Sequence, residues 1–150
     1  LEAQLGAMKP YGYTHIALGM EFGYHLVSKS APFTEGVEFN DKETDKYIVL
    51  LTDGSQTENA KGPGGVKSVA QGEKNLASIC ANAKSNGVKV ITMAFDLTDK
   101  DPSKAEETKA RLRDCASTVA DYFDANDAND LAVAFENVRT QVSQNIFLNK

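Results

Sequence analysis

The sequence has no apolar run near the roughly 20 residues that a helix needs to cross a bilayer. Its longest, Tyr47-Ile48-Val49-Leu50-Leu51, is the size of a core strand. Cysteine is scarce: Cys80 and Cys115 leave no third or fourth thiolate for a zinc site. The pair is compatible with one disulfide or with two free thiols buried as small apolar side chains. Histidine is as rare. His15 and His25 lie ten apart, too far for a metal pair on one helical face, and neither has a carboxylate partner at readable spacing. No nucleophile–base pair can be assembled, so the sequence offers nothing positive for catalysis. Positive charge is not in excess either. With 16 Lys and Arg against 21 Asp and Glu the net charge is −5, and the lysines are scattered among acids. That excludes the basic face by which proteins neutralise phosphates, and no nucleic-acid partner is expected. No basic patch followed by an apolar region opens the chain, so no signal peptide is read, although Leu1 is not a natural start and a targeting segment can lie upstream.

What is present is ordinary for one globular domain spanning 1–150: 41% hydrophobic and 25% charged residues. A chain of this length can bury about two-thirds of its unfolded surface. Residues 1–13, with Gly6, Pro10 and Gly12, read as a leading loop. A helix follows from Thr14, the expected N-cap, to about Ser28, with Ile16, Ala17, Met20, Tyr24 and Val27 recurring at helical steps. Residues 29–46 read as a solvated loop. Tyr47 to Thr52 is a continuous apolar run expected to be a strand covered on both faces. A Gly-rich loop spans 54–67. A helix from about Val69 to Asn86 buries Val69, Leu76, Ile79, Cys80 and Ala83 and stops at Gly87. Val88 to Phe95 is a second buried strand ended by Asp96. Pro102 to about Asp114 is a charged helix anchored by Leu112, Tyr122-Phe123 a short strand, and Leu131 to about Asn145 a last helix. Strands alternating with helices predict an α/β fold: a Rossmann-like open, mainly parallel sheet with helices on both faces. Ligands of such sheets bind beyond the carboxyl ends of the strands, where Asp53 and Asp96 sit.

Two segments stand out. Ile48 through Thr52-Asp53-Gly54 holds a carboxylate at the tip of a buried strand, and Gly12-Tyr13-Thr14-His15 places a hydroxyl at the start of a helix. Together they resemble two of the three parts of the metal-ion-dependent adhesion site of von Willebrand factor A-type domains. That resemblance implies Thr14 and Asp53 as metal ligands, with Tyr13, His15, Gly54, Ser55 and Asp96 as further candidates for the binding edge. It implies Mg²⁺, or Mn²⁺ or Ca²⁺, in the complete domain. Few charged ligands leave such an ion open to an acidic group of a protein partner, which fits the hard, six-oxygen preference of Mg²⁺.

The likeness departs in one place. The family's Asp-x-Ser-x-Ser motif does not precede Thr14, and the near match Asp53-Gly54-Ser55-Gln56-Thr57 overlaps the Thr-Asp-Gly itself. Asp96 is followed by Leu97 rather than Gly. The chain therefore reads as a C-terminal portion without the family's first three strands, with weak or absent metal binding on its own. Its first strand should then expose an apolar edge, a template for self-association.

Further segments resemble the C-terminal region of Tad-type (Flp-type) pilus-assembly proteins: Lys9-Pro10-Tyr11-Gly12-Tyr13-Thr14, the helix carrying Cys80, Leu112 through Ser117, Tyr122-Phe123-Asp124-Ala125 and Leu131 through Phe135. This implies a binding or assembly module in pilus biogenesis or adhesion, on the periplasmic side of an inner-membrane-anchored parent. In that oxidising compartment it implies a Cys80–Cys115 disulfide, whose loop of about 35 residues would stabilise the fold by roughly 3–4 kcal/mol. Two other readings are a metal-free structural protein-interaction domain and a divalent-metal hydrolase using Asp53 and Asp96. Gly62-Pro63-Gly64-Gly65-Val66-Lys67-Ser68 lacks the Gly that a phosphate loop needs before Lys-Ser. Asp124 to Asp130 lacks a calcium loop's ligand spacing, and Asn129 or Asp130 is expected to cap the last helix instead.

Overall fold

The computed structural model describes residues 4, 6, 7, 12–65, 67–97 and 101–148, the last four of these as backbone. The leading loop expected over 1–13, including Lys9, Pro10 and Tyr11, lies mostly outside them, as does Val66. Three strands, β1 (Tyr47–Thr52), β4 (Lys89–Phe95) and β5 (Tyr122–Ala125), form a parallel sheet in the order β1-β4-β5. The apolar, β-branched runs of the sequence make the strands, and the register Tyr47↔Lys89 to Thr52↔Ala94 brings the ends of β1 and β4 level.

Alternation along the strands divides the core. On one face Ile48, Leu50, Val90 and Ala94 pack under three helices, α1 (Ile16–Val27), α2 (Val69–Ser85) and α3 (Pro102–Cys115), through Ala17, Met20, Leu76, Ala83 and Leu112. On the other, Ile91 and Met93 meet Ala134 and Val138 of α4 (Ala128–Leu148). Helices on both faces of an open parallel sheet are the predicted architecture. Gly23 lets α1 settle on β1, since a Cβ there would stand 3.3 Å from Ile48 Cγ2. Gly87, at φ 75°, ends α2 as expected. Asp101 caps α3, and bonds from the Ser103 hydroxyl and amide hold its carboxyl below the usual range. Cys80 of α2 and Cys115 of α3 are joined in a disulfide, their Cα atoms 5.1 Å apart. A buried carboxylate, Asp121, is matched by Lys89 at 3.0 Å and by the Thr118 hydroxyl at 2.7 Å.

Several local expectations are corrected. The cap of α1 is His15, whose ring nitrogen accepts the Leu18 N–H, while Thr14 stands one residue outside. β1 is fully covered on one face only: on the other Tyr47 packs against the cluster under α4, but Val49 and Leu51 remain 41% and 44% exposed. Among the described residues β1 pairs with β4 alone. The Gly-rich loop contains an antiparallel hairpin of β2 (Ala60–Lys61) and β3 (Lys67–Ser68). The polar segment 29–46 ends in a buried residue, Lys46, whose ammonium donates to the carbonyls of Val27 and Val37 and sits 4.6 Å from the centre of the Phe39 ring. Val69 and Ile79 are half-buried rather than buried. The last helix starts at Ala128, and its cap is Asp127, which accepts the amides of Asn129 and Asp130.

Candidate functional site

The carboxyl ends of β1 and β4 lie side by side, because Thr52 is level with Ala94. Asp53 therefore tops one strand and Asp96 the next, both exposed. Behind Asp53 the chain is turned by Thr52, whose hydroxyl donates to the Gly54 carbonyl at 2.9 Å and accepts the Gly54 amide at 3.3 Å. This short-range bonding is what a Thr before Asp-Gly can do and an apolar residue cannot.

The segment before α1 is laced to the loop after β1. Thr14 N–H donates to Thr57 Oγ1 at 2.7 Å, and the Thr14 carbonyl accepts the amides of Thr57 and Glu58, both at 3.0 Å. Ile16 N–H donates to Gln56 Oε1 at 2.7 Å, and Gln56 Nε2 donates to the Glu58 carbonyl at 2.7 Å. The Thr14 hydroxyl ends beside Gly54: a Cβ added there would be 3.3 Å from Thr14 Oγ1. Thr14 and Asp53 thus share one rim. Ser55 continues it, accepting the Thr108 hydroxyl of α3 at 3.0 Å, and Tyr13 stands clear of the surface at 77% exposure. His15 is half-buried with its Nδ1 engaged in capping, which leaves Nε2 as its only nitrogen for other partners. His25 lies further along α1 beside Glu21. A cleft of about 410 Å³ opens next to the rim, lined by Ser55, Gln56, Thr57, Glu73, Thr108 and Arg111 among others.

From the sequence, Gln56 and Thr57 figure only in the near match Asp53-Gly54-Ser55-Gln56-Thr57, and Thr108 not at all. Gln56 and Thr57 immediately follow Asp53-Gly54-Ser55, but a loop position gives no periodic signal of what its side chain will meet.

As a donor set, the Thr14 hydroxyl and the Asp53 carboxylate suit a hard cation, which prefers oxygen, and they would fill at most two of the six positions of Mg²⁺. Among the described residues no three His, Cys, Asp or Glu side chains converge as a metal-binding group. Water and further oxygen donors would have to provide the rest.

No protein-family model matches the chain, and no curated protein matches it. Solved structures do. The pilus adhesin SpaC from Lactobacillus rhamnosus GG, in its open conformation, superposes with a TM-score of 0.69 at 16% identity, over 97% of this chain and 21% of that one. Proximal thread matrix protein 1 from the mussel byssus superposes with a TM-score of 0.56 at 20% identity, over 91% of this chain and 29% of that one. The chain spans less than a third of either protein. At these identities the likeness is one of fold.

Proposed function

We propose that the chain is the C-terminal portion of a von Willebrand factor A-type binding module, acting in pilus assembly or adhesion on the periplasmic side of an inner-membrane-anchored parent. Its metal-ion-dependent adhesion site takes Thr14 and Asp53 from this chain and its remaining motif from residues outside it. The observation that carries this reading is the approach of the Thr14 hydroxyl to Gly54, the residue that follows Asp53. The family's arrangement needs that pair. Among the described residues β1 pairs with β4 alone, which supports the same reading, since strands supplied from outside this chain would cover its other side.

Bound Mg²⁺ or Mn²⁺ would supply a Lewis-acidic point for a carboxylate of a protein ligand. Asp53 would balance its charge, and Thr14 would fill a position without adding charge, so that the ion keeps its appetite for the partner's acid. Fixed by its backbone bonds, Thr14 would need no rearrangement on loading.

Titration of the parent protein with Mn²⁺ tests this. Even outer partners of metal ligands are worth roughly 10–100-fold in affinity, so Asp53→Ala should remove binding outright. Equal Mn²⁺ affinity in Asp53→Ala and the unaltered protein would reject the assignment. No binding in either would favour a metal-free interaction platform, and metal-dependent turnover of phosphate or ester substrates would favour a hydrolase using Asp53 and Asp96.

A further inference from the structure

The structure assigns to Gln56 the role of a positioning residue: it presets the Thr14 hydroxyl against the Asp53–Gly54 rim by making the start of α1 and the loop after β1 a single rigid unit. Its side chain belongs to an exposed loop, yet Gln56 is only 8% exposed. A buried primary amide must place both its donor and its acceptor, and this one does so with two bonds of 2.7 Å. The carbonyl oxygen takes the amide of Ile16, one of the first-turn N–H groups of α1 that have no acceptor within the helix. The nitrogen returns to the main chain of its own loop at Glu58. Residues forty apart in sequence are thereby clasped by one side chain.

The orientation of that amide is unambiguous on chemical grounds. Turned over, its NH₂ would face the Ile16 N–H and its oxygen would face the Glu58 carbonyl, two repulsions in place of two bonds. The back wall is closed as well. Gly72 of α2 leans so near that a Cβ there would lie 2.7 Å from Gln56 Nε2. The three bonds between Thr14 and residues 57–58 then complete a ring around the clasp. Each main-chain polar group of Thr14 is engaged, so its hydroxyl has a fixed base from which to reach the rim. Preset geometry spares a site the entropy of ordering on binding. That the preset hydroxyl serves a metal rests on the function proposed above, whereas the clasp itself does not.

Amide hydrogen exchange, followed residue by residue in the metal-free protein, separates the two. In Gln56→Ala the Ile16 amide loses its acceptor directly and is uninformative. The amides of Thr14, Thr57 and Glu58 keep their acceptors, and the clasp requires that they exchange at least tenfold faster, while Val90, Ile91 and Met93 of β4 are unchanged. Wild-type protection at those three positions would overturn the assignment. Gln56→Glu has nearly the same volume and keeps the acceptor for Ile16, but turns a carboxylate oxygen, in place of the donor, against the Glu58 carbonyl. It guards against a variant that does not fold. The same three amides should accelerate there too, and no acceleration again counts against the clasp. Mn²⁺ binding decides the metal reading separately, because the exchange rates are read without metal.

Discussion

Asp96 is the one residue other than glycine with a positive φ among the described residues, at 43°. It stands where β4 must turn, its amide donating to the Ala125 carbonyl at 2.8 Å. The left-handed region costs a residue with a Cβ about 1–2 kcal/mol, and aspartate tolerates it better than most. Asp96→Gly should therefore raise the urea midpoint by the equivalent of about 0.5–1 kcal/mol with an unchanged slope. A lower midpoint would mean that the carboxylate makes a stabilising bond at the rim. Single positions show where reading the sequence succeeds and stops. Asp53 and Asp96 were legible as strand ends because apolar runs stop abruptly at them. The capping of α1 by His15, rather than by the better-known capper Thr14, was not, because it depends on Thr14 being drawn outward by Thr57 and Glu58. Gln56 was hidden for the same reason: its partners are contributed by another part of the chain.

Among elements, two helical glycines behave oppositely. Gly19 of α1 has nothing within 4 Å of where a Cβ would be, while Gly72 of α2 faces the Gln56 amide at 2.7 Å. Gly19→Ala should gain up to about 1 kcal/mol from helix propensity alone. Gly72→Ala gains the same propensity, but crowding costs about 1–3 kcal/mol and displacing the amide about 0.5–1.5 kcal/mol more. The loss wins, and Gly72→Ala should melt several degrees lower and Gly19→Ala higher in thermal unfolding. Equal shifts in both would show that the amide yields without strain. The main strands and helices were legible because period-2 and period-3.6 patterns run through them. The β2–β3 hairpin was not, since two residues per strand carry no period, and neither was the exposure of Val49 and Leu51 on β1, since a continuous apolar run reads as covered on both faces.

At the scale of the molecule, the sheet has an unfinished side. Val49 and Leu51 are exposed on a strand that has one partner among the described residues, with no proline or lysine inside it to discourage pairing. The isolated 150-residue chain should self-associate with rising concentration in sedimentation experiments, and Leu51→Lys should return it to monomer. A monomeric wild type at high concentration would show that the edge is protected. The disulfide has a mechanical consequence. Cys80 and Cys115 bracket the end of α2, all of β4 and all of α3, so tension drawn along the polypeptide crosses from one sulfur to the other and bypasses the middle strand. Stretching the oxidised chain would leave the stretch between Cys80 and Cys115, a sequence separation of 35, folded back as a slack loop. Reducing it should release roughly 120 Å of additional contour length in single-molecule pulling. In the role proposed above, that bond would set how far the domain can be drawn out before its centre comes apart.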